Sequence, residues 1–300
     1  MKKRMILLAG LLLLLAVPAA WGGRPKAKHV VLIAIDGWGA YSVPKADIPN
    51  IGALMRQGCY TLHERSVLPS SSAINWASMF MGVGTELHGY TQWGSRTPEL
   101  PSRTVNARGI SPTVFSLLRE QRPAAESGCL FEWEGIKYLI DSAAVSHVEQ
   151  VADYERREEE LCRAAVEYIG SKRPALCAIC FDQLDHTGHG EGHDTPAYYA
   201  KLQQIDGYVG RIVEAVKEAG MYDDTVFILT ADHGGKGKGH GGATLPEMEI
   251  PFIICGKGIR RAGALTESVV QYDTAATIAH ILGLRVPQAW TGRPVLAAFK

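Results

Sequence analysis

Neither sign of charge predominates in this sequence. Its 31 Lys and Arg balance 31 Asp and Glu, and no basic block stands out, so the electrostatic footprint of a nucleic-acid polymer partner is missing. Long apolar runs are scarce too. Met5 to Val17 is almost unbroken, yet it falls short of the roughly 20 apolar residues a spanning helix needs. No Cys follows it, which argues against a lipid-anchored lipoprotein. There is no internal repeat, no low-complexity tract and no convincing linker. A nucleotide-binding reading of Gly235-Lys-Gly-Lys-Gly239 fails because the G-x-x-x-x-G-K-S/T spacing is absent.

What is present begins with a segment of different chemistry. Lys2, Lys3 and Arg4 precede the apolar run, and Pro18-Ala19-Ala20-Trp21-Gly22-Gly23 follows it with small residues. Residues 1–23 therefore read as a secretory signal peptide, with a membrane anchor as the rival reading. Export would leave residues 24–300 as one domain, secreted or periplasmic, with no stable membrane anchor. All six Cys lie in that part, and an exported chain is free to form disulfides. Cys177 and Cys180, however, sit in an apolar run that reads as a strand, where an odd spacing sends side chains to opposite faces. Buried thiols are expected there, not a redox or metal motif, and at most one or two disulfides overall.

The apolar content of 46% is enough for a sizeable core. Residues 29–35, 176–181, 226–231 and 250–255 read as strands. Their apolarity is continuous, as in a mainly parallel sheet covered on both faces. Helical spacing marks residues 152–169. A second helix starts at the Thr195-Pro196 cap and stops at Gly220. A third is capped by Asp273 and stopped by Gly283. The expected fold is an α/β three-layer α/β/α sandwich around a central mainly parallel sheet.

Three of these strands run directly into carboxylates or imidazoles. The first ends at Asp36-Gly37. The second leads to Asp182, Asp185 and His189. The third leads to Asp232-His233-Gly234-Gly235. The carboxyl ends of strands are where open α/β sheets bind ligands. Several acids and imidazoles meeting on one rim would repel and desolvate one another unless a cation joined them. Mixed oxygen and nitrogen donors suit zinc, with manganese or iron as alternatives, and the ligand count suits two ions. Residues 68–82 then read as a turn entering a short helix, whose N-terminal N–H groups favour phosphate.

These residues, in this order, resemble the alkaline phosphatase superfamily, nearest its type I phosphodiesterase and nucleotide pyrophosphatase branch. The likeness rests on Ile35-Asp36-Gly37-Trp38-Gly39, Ser72-Ala73-Ile74-Asn75 through Gly82, and His88-Gly89. It continues with Asp185-x-x-Gly188-His189, residues 230–235, Gly239-His240-Gly241-Gly242 and the closing 273–284 segment. It implies Ser72 as nucleophile, with Ile74 in place of the usual Pro. It implies one metal on Asp36, Asp232, His233 and Ser72, and a second on Asp185, His189 and a late histidine. His240 is favoured for that last place, with His193 as the alternative and more naturally at the substrate mouth. Trp93 or Gln92 falls where relatives place a phosphate-binding Asn. Lys137, after Phe131-Glu132-Trp133-Glu134-Gly135, is a candidate phosphate contact. Asn75 either meets the phosphoryl group or holds the turn. Trp38, Trp76, Trp93 and Tyr90 offer stacking surfaces or belong to the core.

The implied function is hydrolysis of a small phosphate ester, monoester or diester, in two steps through a phosphoseryl intermediate. Two divalent ions about 4 Å apart would clamp the entering and leaving oxygens. A sulfatase shares the fold, but its C/S-x-P-x-R nucleophile pattern is absent around Ser72. A phosphosugar mutase needs a large inserted lid, for which this chain is short. A non-catalytic metal-binding homologue would have lost a ligand or the nucleophile. Nothing in the sequence fixes the oligomeric state.

Overall fold

A computed structural model describes residues 23–151 and 159–300. Residues 1–22 of the expected signal peptide, and residues 152–158 of the expected 152–169 helix, lie outside the described residues.

The strands are β1 (His29–Ile35), β2 (Cys59–Arg65), β3 (Ser127–Phe131), β4 (His147–Gln150), β5 (Leu176–Phe181), β6 (Thr225–Thr230), β7 (Glu249–Gly256) and β8 (Gly263–Ala264). They form one sheet in the order β4-β3-β5-β1-β6-β7-β2-β8. The run from β4 to β6 is parallel throughout, and β7 is antiparallel to both β6 and β2. The helices are α1 (Pro49–Gln57), α2 (Ser72–Met81), α3 (Thr85–His88), α4 (Val114–Gln121), α5 (Glu160–Lys172), α6 (Gln183–Glu191), α7 (Pro196–Glu218), α8 (Leu245–Met248) and α9 (Asp273–Leu282).

Alternation along β1 defines three layers. Val30, Leu32 and Ala34 pack with Trp76 of α2, Phe115 of α4 and Ile278 of α9. Val31, Ile33 and Ile35 pack with Ile51 of α1, Leu161 of α5 and Val209 of α7. Both faces of the central strands are covered, which is why their apolarity is unbroken. Cys180 belongs to the first layer and Cys177 to the second, as the odd spacing requires. All six cysteines are buried free thiols.

Two boundaries illustrate local causes. Thr195 Oγ1 caps α7 by accepting from the Tyr198 N–H, and Pro196 opens the helix. Asp273, expected as the cap of α9, is instead its first helical residue, after Tyr272. Its carboxylate is committed elsewhere, accepting from the Val270 and Arg293 N–H groups at 2.9 and 2.8 Å. Gly283 stops the helix at φ 66°, where a side chain would be strained. Among the described residues no helix is long and apolar enough to cross a membrane.

Register sets the position of the site. Ile35 lies beside Phe181, and Ala34 beside Thr230. The chain therefore leaves β1, β5 and β6 at one level, and the residues that follow share one rim. α2 reaches that rim from the first layer. It is held partly through the fully buried His88 of α3, whose Nε2 lies 3.0 Å from Ser78 Oγ. Burial lowers the His88 pKa from 6.5 to about 4. Folding thus opposes its protonation, so stability present above pH 6.5 drains away as pH falls toward 4, by up to about 3 kcal/mol. Denaturant midpoints measured across that window should fall, and His88→Gln should flatten the fall.

Candidate metal centre

β1 delivers Asp36 and then Gly37, which turns at φ 69°. A Cβ on Gly37 would lie 2.6 Å from Asp185 Oδ1, so only glycine lets these two segments meet so closely. β5 delivers α6, on which Asp185 and His189 stand one turn apart on one face. β6 delivers Asp232 and His233. The following loop returns His240 to the same place. α2 begins at Ser72, with Ser71 as its N-cap.

His233 organises one half of the cluster. Its Nδ1 lies 2.8 Å from the Gly234 carbonyl, and a carbonyl only accepts, so the proton sits on Nδ1. Burial lowers the His233 pKa to about 3, helped by His240, so the ring is neutral and Nε2 presents a bare lone pair. Around that lone pair stand Ser72 Oγ at 3.2 Å, Asp232 Oδ2 at 3.2 Å and Asp36 Oδ1 at 3.4 Å. Neither carboxylate oxygen has a hydrogen-bond partner in the protein, and both are buried.

Asp185 organises the other half. Its Oδ2 lies 3.1 Å from His189 Nε2 and 3.8 Å from His240 Nε2. The two Nε2 atoms are 3.2 Å apart. Both rings turn Nδ1 to a main-chain carbonyl, Lys238 O at 2.9 Å and Ser70 O at 3.2 Å. Two three-donor groups result, Asp185 with His189 and His240, and Asp36 with Asp185 and His233, each within 4.8 Å. Asp185 reaches both.

The electrostatics follow. Burial pushes Asp36 well above the usual carboxylate range, and repulsion from Asp232 and Asp185 adds to it. Asp232 is raised by burial and by Asp185. Asp182 is raised to about 8 by burial, Asp185 and Glu132. Burial opposes the Asp185 charge as well, but hydrogen bonds from His189 and His193 hold it far below the usual range. In return, Asp185 lifts His189 to about 9. Asp36 Oδ1 and Asp232 Oδ2 are buried acceptors without donors, on carboxylates that cannot all ionise together with Asp185, and such a set fits a cation site. Oxygen and imidazole ligands whose Nδ1 is fixed by a carbonyl fit zinc.

The remaining candidates fall differently. Asn75 is fully buried and spends its amide on the turn. Oδ1 accepts from the Val67 N–H at 2.7 Å, and Nδ2 donates to the Val67, Pro69 and Ser71 carbonyls. The Trp93 carbonyl accepts from the Ala73 N–H at 3.0 Å, at the first turn of α2, while its side chain is 67% exposed. Lys137 pairs with Glu134 and lies over the Tyr138 ring. His193 is not at a substrate mouth. Its side chain is buried, with Nε2 3.3 Å from Asp185 Oδ1 and Nδ1 3.1 Å from the Gly237 carbonyl. Gly235 admits that ring, since a Cβ there would lie 2.2 Å from it. His193 therefore stands behind Asp185 as a positioning residue.

Sequence reasoning missed two participants. Trp76 Nε1 donates to Asp36 Oδ2 at 3.2 Å from inside the core. One turn beyond Ser72 on the same helix face, it fixes Asp36 and Ser72 in one frame. Glu132, raised to about 7 by burial, accepts from the Asp182 N–H at 2.6 Å and from Gln183 Nε2, and so ties β3 to the start of α6. The i, i+4 spacing of Ser72 and Trp76 was the one available signal for the first. Trp38 and Tyr90 are core.

A three-layer sandwich whose parallel strands end in this acid and imidazole cluster, beside a helix-opening serine, is alkaline phosphatase-like. The family model described as type I phosphodiesterase / nucleotide pyrophosphatase matches residues 30–237, and the chain belongs to that family. It is 24% identical over 242 residues to the mouse (Mus musculus) bis(5'-adenosyl)-triphosphatase enpp4, covering 74% of this chain and 52% of that protein. Among solved structures it resembles murine ectonucleotide pyrophosphatase / phosphodiesterase 5, an inactive form in complex with AMP. That match has TM-score 0.68 and 15% identity, over 87% of this chain and 96% of that one. It also resembles a 2-O GAG sulfatase, with TM-score 0.72 and 15% identity over 90% of this chain and 73% of that one. The chain spans about half the length of the curated relatives it matches.

Proposed function

We propose that this chain is an exported, metal-dependent hydrolase of small phosphate esters, with Ser72 as nucleophile. The observation that carries the reading is the convergence of Ser72 Oγ, Asp36 Oδ1 and Asp232 Oδ2 on the bare Nε2 of His233. Asp36, Asp232, His233 and Ser72 would hold one divalent ion, and Asp185, His189 and His240 would hold the other. Two zinc ions there would supply Lewis-acid polarisation of the phosphoryl group and acidify a bound hydroxyl.

The protein's own part is positioning. Ser72 Oγ attacks phosphorus: the Oγ–P bond forms, the ester P–O bond breaks, and the Ser72 proton passes through solvent to the departing oxygen, which leaves as the alcohol, since His233 Nε2 would be occupied by the ion. Water then cleaves the Oγ–P bond and regenerates Ser72. Trp76 keeps Asp36 in place, and His193 keeps Asp185 in place. The exposed Trp93 side chain, whose main-chain carbonyl accepts from the Ala73 N–H in the first turn of α2, offers a surface for the leaving group. The nucleotide-phosphate relatives support a phosphate substrate. Residues 24–300 act as one catalytic domain, and residues 1–23 direct export to the periplasm or the medium.

The sulfatase likeness of the fold gives a second reading, sulfate ester hydrolysis. The position that C/S-x-P-x-R would give to Arg is Trp76 here, and it serves Asp36. A single zinc-loaded sample should be assayed on an aryl phosphate monoester, an aryl phosphate diester and an aryl sulfate. One of the phosphates should exceed the sulfate by about 100-fold or more, in line with a site that discriminates by transition-state binding. Faster sulfate turnover would replace the phosphate reading with the sulfate one.

A further inference from the structure

Behind the strand that carries Asp232 lies a second set of buried polar groups. It is separate from the rim and independent of the function proposed above. Glu64 of β2 is fully buried, as are Gln271 and Thr274 at the start of α9, and Ser66 is 2% exposed. Each holds a polar atom without a hydrogen-bond partner in the protein: Glu64 Oε1, Ser66 Oγ, Gln271 Oε1 and Thr274 Oγ1. Buried polar groups are nearly always satisfied, so four orphans on neighbouring segments ask for a ligand or ordered water.

The residues that carry them meet at one junction. Thr230 Oγ1 donates to Glu64 Oε2 at 2.6 Å and lies 3.4 Å from the Ala231 carbonyl. Gln271 Nε2 donates to that same carbonyl at 3.1 Å. The Gln271 N–H donates to the carbonyl of Arg65, the residue before Ser66, at 2.9 Å, and the Thr274 N–H donates to the Gln271 carbonyl. β2, the end of β6 and the first turn of α9 thus form one hydrogen-bonded junction.

The orientation of Glu64 is built in. The β2–β7 register shifts between Thr61 and Glu64, and such a bulge re-aims side chains. His63 and Arg65 on either side point to solvent and pair with Glu249. Glu64 turns inward, where burial and the nearby Asp273 carboxylate both work against its charge. A cation would answer the orphaned atoms and offset the cost of ionising Glu64 together. All four orphans are oxygens, one carboxylate, one amide and two hydroxyls, a set that selects hard cations over zinc.

We propose that Glu64, Ser66, Gln271 and Thr274 bind one magnesium or calcium ion that braces the β6 terminus behind Asp232 and His233. The test is metal analysis of the folded, zinc-loaded chain after equilibration with magnesium or calcium and gel filtration. Wild type should retain about one hard cation per chain. Glu64→Gln should lose it and keep its zinc. Magnesium or calcium should also raise the melting temperature of wild type but not of Glu64→Gln. Thr274→Val serves the same comparison should Glu64→Gln fail to fold. A wild-type chain that retains neither ion would overturn the proposal, showing a protonated Glu64 or ordered water instead. Equal retention by the variants would overturn it as well.

Discussion

On the proposed chemistry, Ser72→Ala should remove turnover and leave the fold standing. Ser72 is the first residue of α2, and the capping position belongs to Ser71, so no cap is lost. Alanine is the best helix former. The one side-chain contact given up is that of Oγ with His233 Nε2 at 3.2 Å. The neighbouring Ser70 offers no substitute, because its hydroxyl donates to the Gly242 carbonyl and accepts from the Gly241 N–H. Loss of the nucleophile should lower kcat/KM by roughly 10³-fold or more. Steady-state kinetics, a melting curve and zinc content on the same preparation check this. Near-normal hydrolysis by a folded, zinc-replete variant would move the nucleophile elsewhere.

Metal removal should have the other large effect, on activity and stability together. Without cations, Asp36, Asp185 and Asp232 face one another with two buried oxygens unpaired. Chelation should abolish hydrolysis and lower the melting temperature, and zinc should restore both. At free zinc 1,000 times its Kd, the stabilisation is about 4 kcal/mol. Full activity after exhaustive chelation, with residual metal measured, would contradict the centre.

Much of this architecture was legible beforehand because burial on both faces writes itself as unbroken apolar runs. β1, β5, β6 and β7 fell within a residue of their expected bounds, and the acids beyond them followed from chain order. β2 was not legible. Its charged residues and the inward Glu64 break the apolar pattern, and the bulge shifts its period. The side chains that meet at the rim could be named, but not what holds them. Gly234, Lys238 and Ser70 contribute carbonyls, and a carbonyl leaves no trace in residue type. His193 looked like a mouth residue because a Gly-rich loop reads as exposed. The glycine at 235 instead makes room for its ring. Asn75 left two roles open, and its hydrogen bonds are those of the turn.

The most direct measurement is anomalous diffraction at the zinc edge from a zinc-loaded crystal. Two peaks should appear about 4 Å apart, one touching Asp36, Asp232, His233 and Ser72 Oγ, the other touching Asp185, His189 and His240. A single peak, or peaks away from these side chains, would contradict the two-ion centre on which the proposed chemistry depends.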